Sequence, residues 1–165
     1  MSKKLQDAIE LLDADHRSAK ALFDQFKQLS EHKAGGAKRK ALAEQICLEL
    51  TIHMRLEEEI FYPPVREAIR DDDLLDQAEV EHTGAKELIG QILAMKPEDE
   101  LYDAKVTVLG EYVQHHVRQE REEMFPKVRK CGNLALLGEQ LRVRKQELQA
   151  VPEALHEKAL VSVSA

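Results

Sequence analysis

The chain has 165 residues, a formal net charge of −7 and a pI near 5.5. That length suits one domain with a core of its own, and the acidic balance argues against nucleic acid or an anionic membrane as the main partner. No apolar run approaches the roughly 20 residues of a membrane span, and "MSKKLQDAIELLDADH" lacks the apolar centre of a secretory signal, so a cytoplasmic location is expected.

Apolar residues recur at helical spacing through most of the chain. The spacing predicts a first helix over about 4–31, with Leu5, Ile9, Leu12, Ala19, Phe23 and Phe26 on one stripe. "KAGGAK" supplies Gly35 and Gly36 as a turn. A second helix covers about 37–68 with Leu42, Ile46, Leu50 and Ile60 along a face, and Pro63-Pro64 must kink or end it. "RDDD" reads as a turn and the acidic start of helix three, which carries Leu75, Ala78, Ala85, Ile89 and Ile92 and stops near "KPED". Helix four runs over about 98–130, with Val106, Leu109 and Val113 inward, and "CGN" breaks it. A shorter fifth helix, about 134–149, shows Leu134, Leu137, Leu141 and Leu148; beyond Pro152 no element is assigned and "VSVSA" is expected to fray. The expected class is all-α: an up-down-up-down four-helix bundle over residues 1–132, with residues 133–165 as a short fifth helix and tail packed on or flanking it. Cys47 and Cys131 form no CxxC pair and read as two reduced thiols.

Polar residues that fall on these apolar stripes carry the chemistry. His16 follows Leu5, Ile9 and Leu12; His53 and Glu57 share a face with Ile46, Leu50 and Ile60. His82 lies between Ala78 and Ala85, and His116 and Glu120 follow Leu109 and Val113. Each long helix therefore aims a histidine at the core, and two add a glutamate one turn on. A buried glutamate without a partner costs several kcal/mol, so such groups are paired or coordinate a metal. His16 and His53 lie at similar distances from the Gly35-Gly36 turn, while His82 and His116 are mismatched by roughly one turn about "KPED".

The arrangement is written twice. "DADHRSAKALFDQF" (Asp13 to Phe26) aligns with "EVEHTGAKELIGQI" (Glu79 to Ile92), and "HMRLEEEIFYPPVR" (His53 to Arg66) rhymes with "HVRQEREEMFPKVR" (His116 to Arg129). Two copies of a His, His, Glu unit would build a site of approximate two-fold symmetry between two metals. Two His and one Glu per metal is a nitrogen and oxygen donor set that suits Fe(II), and also Zn or Mn. The two carboxylates leave surplus positive charge on two divalent ions, which favours dioxygen, peroxide or nitric oxide as ligand. Asp13 and Glu79 could instead form acid-x-x-His ligand pairs, but that scheme leaves His53 and His116 unexplained, so both are taken as outer partners or surface groups. Glu58, Glu59, Glu122 and Glu123 read as a charged face. His32, His115 and His156 read as solvated, Tyr112 as packing near the site, and Phe61 and Met124 as core or pocket wall.

"DADHR", "HMRLEEEIFYP", "EHTGAK" and "HHVRQEREEMFPKVR" together resemble the hemerythrin-like, HHE cation-binding domain family over about residues 5–130. The resemblance implies an up-down bundle around an oxo- or hydroxo-bridged pair of iron ions, with His16, His53, Glu57, His82, His116 and Glu120 as ligands. Oxygen-carrying members use a His-x3-His pair on the third helix and His-x4-Asp on the fourth. Here Lys86 stands four after His82 and the fourth helix has His116-x3-Glu120, which counts against reversible oxygen carriage. The set is more similar to bacterial hemerythrin-like proteins linked to peroxide or nitric oxide stress, and to iron-cluster repair proteins. The expected function is a non-haem di-iron protein that reacts with peroxide, dioxygen or nitric oxide, with catalase-like turnover in view. The alternatives are a sensor or store of iron, oxygen or nitric oxide without turnover, and a structural zinc bundle.

Overall fold

The computed structural model describes residues 4–161, and every described element is helical. Four rods make the bundle. They are α1 (Ala8–Glu31), α2 (Gly36–Leu56) continued through a π turn (Glu57–Phe61) into α3 (Tyr62–Ile69), α4 (Asp72–Ala94), and α5 (Tyr102–Gln119) continued through a second π turn (Glu120–Met124) into α6 (Phe125–Arg129). α1 packs on α2, α4 on α5, α1 on α5 and α2 on α4, which closes the up-down-up-down ring. Two further helices follow: α7 (Leu134–Gln149) lies against α1 and α2, and α8 (Pro152–Val161) against α4 and α2.

Several boundaries differ from the sequence expectation for local reasons. α1 begins at Ala8, because Asp7 caps it: Glu10 N–H donates to Asp7 Oδ1 at 2.9 Å, and Asp7 N–H donates to Glu10 Oε2 at 3.0 Å. Leu5 therefore sits outside the helix and is 69% exposed, not on the core stripe. α5 begins at Tyr102, since a tight turn, with Lys96 N–H on Asp99 Oδ2 at 2.8 Å, occupies the segment expected to start the helix. Past Pro152, where no element was assigned, a helix forms with proline at its first position and Leu155 buried. Val161 ends that helix; the rest of "VSVSA" lies outside the described residues. The "RDDD" turn is built by Arg70 in the left-handed region (φ 51°) and by Asp71, whose side chain accepts from Leu74 N–H at 3.2 Å.

The prolines leave both rods continuous. Proline has no N–H and its ring crowds the preceding turn, and both Pro63 and Pro126 follow a π turn. There the Tyr62 and Phe125 amides donate five residues back, to the carbonyls of Glu57 and Glu120. The wider register absorbs the extra bulk and keeps each rod continuous.

Two apolar clusters fill the bundle. One gathers Leu12, Leu56, Phe61, Leu75 and Met124 with Leu141, Leu148 and Leu155 of α7 and α8. The other gathers Phe26, Ile46, Leu50, Ile89, Tyr102, Val106 and Leu109. The polar layer of histidines and glutamates lies where these clusters meet. α7 docks closely at Gly138, where an added Cβ would stand 2.7 Å from Gln6 O and 2.8 Å from Asp7 C, both backbone. Gly138→Ala is therefore expected to destabilise by about 1–3 kcal/mol. Gly84→Ala, whose Cβ would meet only the Tyr112 ring at 3.8 Å, should gain roughly 1 kcal/mol from helix propensity. Urea unfolding of the two variants checks the opposite signs.

Candidate metal centre

The structure brings His16, His53, Glu57, His82, His116 and Glu120 into one buried layer, from α1, α2, its π turn, α4, α5 and its π turn. Both glutamates are enclosed, Glu57 at 0% and Glu120 at 1% exposure. Glu57 Oε1 lies 3.1 Å from His53 Nε2 and 3.3 Å from His82 Nε2, so it reaches both repeats. Glu120 Oε1 does the same from the other side, 3.1 Å from His116 Nε2 and 3.3 Å from His16 Nε2. The His82 and His116 Nε2 atoms approach to 3.2 Å. The mismatch expected across "KPED" is absorbed by the 95–101 segment between α4 and α5.

Each imidazole is held from behind. Nδ1 of His16 lies 3.4 Å from Asp13, that of His53 3.1 Å from Asp15, that of His82 3.0 Å from Glu58 and that of His116 3.2 Å from Glu81. A carboxylate on Nδ1 fixes the tautomer with its proton outward and turns the Nε2 lone pair into the site. A basic group stands behind every carboxylate: Arg121 on Asp13 at 2.6 Å, Lys145 on Asp15 at 2.6 Å, Lys86 on Glu58, and His115 on Glu81 at 3.5 Å. Burial pushes the Asp13, Asp15 and Glu58 acids up, but the histidine and the outer cation on each outweigh it, and all three stay below their usual range.

Sequence reasoning missed most of this outer ring. Asp15 and Glu81 precede their repeat's first histidine by one residue and serve the histidine of the neighbouring helix. Glu58, read as part of the wet face, supports His82 instead; Glu59, on that face, pairs with Arg144 at 2.8 Å. The duplication is broken here in an orderly way. The counterpart of Glu58 is Arg121, which holds Asp13 on His16, while the counterpart of Asp13, Glu79, is exposed and leaves its histidine to Glu58. Lys86, four after His82, points outward to Glu58. Of the histidines set aside, His32 and His115 are exposed, and His156 is half-buried on α8.

Tyr62 is the other residue missed. Its buried hydroxyl donates to Glu120 Oε2 at 3.4 Å and lies 3.1 Å from His116 Nε2 and 3.3 Å from His82 Nε2. Burial, then the Glu120 and Glu57 charges, hold its pKa well above the ordinary phenol value. Its counterpart in the repeat is Phe125, stacked on His16 at 6.0 Å between ring centroids. The two halves of the centre are thus chemically unequal. Tyr112 is half-exposed on α5, and Phe61 and Met124 are buried in the wall.

Whether these residues suit a metal is answered by the atoms left over. Among the described residues, His16 Nε2, His53 Nε2, both Glu57 oxygens and Glu120 Oε1 are buried with no hydrogen-bond partner, although they crowd together. One donor atom from each of His16, His53, Glu57 and Glu120 falls within 4.8 Å of the others, and the same holds for Glu57, His82 and His116. Buried polar atoms in a protein are satisfied almost without exception, so these two overlapping groups, with unsatisfied atoms on His16, His53, Glu57 and Glu120, fit bound metal. In the metal-free protein protons take that role. Burial lowers the His53 pKa, but Glu57 and Asp15 overcome it and raise it to about 10. His82 and His116 are raised too, against burial, by the facing carboxylates; burial pushes the Glu57 acid up, but the His53 charge beside it outweighs this and holds it well below its usual value.

All four histidines, but neither glutamate, line a cavity of about 360 Å³ on the side of the second apolar cluster. No described helix is long and apolar enough to cross a membrane.

Residues 7–128 match the family described as Hemerythrin HHE cation binding domain. The chain is 31% identical over 125 residues to a DNA nickase of Nostoc sp. (strain PCC 7120), covering 76% of this chain and 33% of that protein, so it spans about a third of that relative's length. Its fold is similar to the crystal structure of a hemerythrin HHE cation binding domain-containing protein, the Rv2633c homolog from Mycobacterium kansasii, with a TM-score of 0.76 at 21% identity over 96% of this chain and 99% of that one. With the family match spanning most of the bundle, the chain belongs to the hemerythrin HHE cation-binding domain family.

Proposed function

We propose that the chain is a non-haem di-iron protein that binds and reacts with a small oxidant or gas: peroxide, dioxygen or nitric oxide. The observation that carries this is the set of His16 and His53 Nε2 atoms and Glu57 and Glu120 oxygens left without hydrogen-bond partners, in a layer whose four histidines line a cavity. His16 and His53 would hold one ion and His82 and His116 the other, with Glu57 and Glu120 shared between them because each reaches both repeats. Nitrogen and carboxylate donors with no thiolate suit iron. Bound there, the pair supplies Lewis acidity and electrons.

The chain's own residues do the rest. Asp13, Asp15, Glu58 and Glu81 keep the imidazoles aimed and electron-rich. The Tyr62 hydroxyl places a proton donor beside Glu120 on one side only, so proton delivery would favour that half. The apolar part of the cavity wall, Ala19, Leu50, Met54, Ala85 and Val113, suits small molecules. The nickase similarity covers a minor part of that protein, and the net charge of −7 does not suit a phosphate backbone; small molecules are the partners proposed.

Metal analysis with an optical spectrum of the air-exposed protein, followed by peroxide addition, tests the reading. Two iron ions per chain, charge-transfer absorption and oxygen evolution are expected. A reversible spectral change without oxygen evolution would instead mark a sensor or store. One zinc per chain with no charge-transfer bands would overturn the di-iron reading.

A further inference from the structure

The internal duplication gives the cavity two equivalent sides, and the fold covers them unequally. On the α1–α2 side stand Asp15, Ser18 and Glu49; on the α4–α5 side their repeat counterparts are Glu81, Gly84 and Tyr112. The first side is obstructed, although Ser18 and Gln149 at its rim are exposed. Ser18 Oγ donates to Glu49 Oε2 at 3.2 Å, and α7 lies over the groove with Lys145 on Asp15 and Gln149 beside it.

The second side has no helix over it. Glu81 and Tyr112 line both the inner cavity and an open outer groove of about 790 Å³ on α4 and α5. Gly84 also lines that groove, and its missing side chain leaves room for the Tyr112 ring, which lies 3.8 Å from where a Cβ would stand. Tyr112 is 52% exposed and is fixed by no hydrogen bond among those described, so its ring can swing without breaking one.

We propose that small molecules reach the centre through the α4–α5 groove, with Tyr112 as the gate and Gly84 as the seat it swings over. α7 obstructs the equivalent path beside α1 and α2. The same helix whose Lys145 braces the support of His53 thereby favours entry from the α4–α5 side, where the width left between Gly84 and Tyr112 sets the size of what enters. The proposal rests on the metal-centre reading above, and its test separates the two.

In the iron-loaded full chain, stopped-flow absorbance follows azide, a small anion that ligates ferric iron. Gly84→Leu is expected to slow azide binding about tenfold, the factor a modest added barrier produces, with iron content and the resting spectrum unchanged. Tyr112→Ala should speed it severalfold. Ser18→Leu, on the obstructed side, should leave it as in the parent. In a Cys131→Ser background, where Cys47 is buried, Tyr112→Cys should bind azide more slowly once a bulky maleimide is attached. Slowing by Ser18→Leu with none by Gly84→Leu would overturn the route. A metal-free arm keeps the readings apart: dissolved dioxygen, being paramagnetic, broadens the Met54 and Val113 methyl resonances, and Gly84→Leu should reduce that broadening while Ser18→Leu does not. If iron fails to load, the centre is wrong and this arm alone decides the path; equal broadening in both variants overturns it.

Discussion

Stripping the metal from the loaded protein with a chelator is expected to lower Tm by about 10 °C. A ligand that binds only the native state at about a thousand times its Kd adds about 4 kcal/mol. For a chain of this length each kcal/mol moves Tm by roughly 2–4 °C. The gain follows from the centre itself, because without a cation it encloses the Glu57 carboxylate, which must then be met by the His53 imidazole, whose pKa is raised to about 10. Loading should therefore also release protons, seen as acidification of a weakly buffered solution, and metal affinity should fall as pH falls. Differential scanning calorimetry of loaded and stripped protein checks the first point; equal Tm values would mean that the layer is satisfied by protons alone.

Glu57→Ala is expected to reduce bound metal from two ions per chain to less than one. Glu57 Oε1 lies beside histidines of both repeats, so its removal strips a donor from each position. Glu58→Ala should act differently, retaining the stoichiometry while weakening affinity by about 10–100-fold, the usual cost of losing a carboxylate behind a ligating histidine. Glu79→Ala should change nothing, since that residue is exposed. The last pair is diagnostic, because repeat alignment alone would assign the outer role to Glu79 as the counterpart of Asp13. Isothermal titration with the metal reads all three, and a Glu79→Ala loss equal to that of Glu58→Ala would contradict the geometry.

The helices and the six inward residues were legible in the sequence because each rests on a single-helix rule. Apolar residues three and four apart mark a face, and His53-Glu57 and His116-Glu120 sit on that face at i,i+4. What escaped depends on two helices at once or on a change of register. Asp15 and Glu81 lie about 100° around from the histidines that follow them, which on one helix reads as turned away. Only the placement of the neighbouring helix makes them partners of His53 and His116. Tyr62 is five residues beyond Glu57, about 140° off its face in an α-helix; the π turn between them rotates it back into the centre. Leu5 failed for the opposite reason: the stripe extends to it, but the Asp7 cap ends the helix first.

The crossing of ligands between repeats has a consequence for the chain as a polymer. Glu120 reaches His16, roughly a hundred residues earlier, and Glu57 reaches His82 of the other repeat. Ions held by both sets would act as reversible cross-links closing long loops. By loop entropy a tie across about 100 residues disfavours the open chain by as much as about 4.7 kcal/mol. Neither repeat could then peel away while the ions stay bound, so the loaded chain should open as one unit, and metal release should set the pace of unfolding.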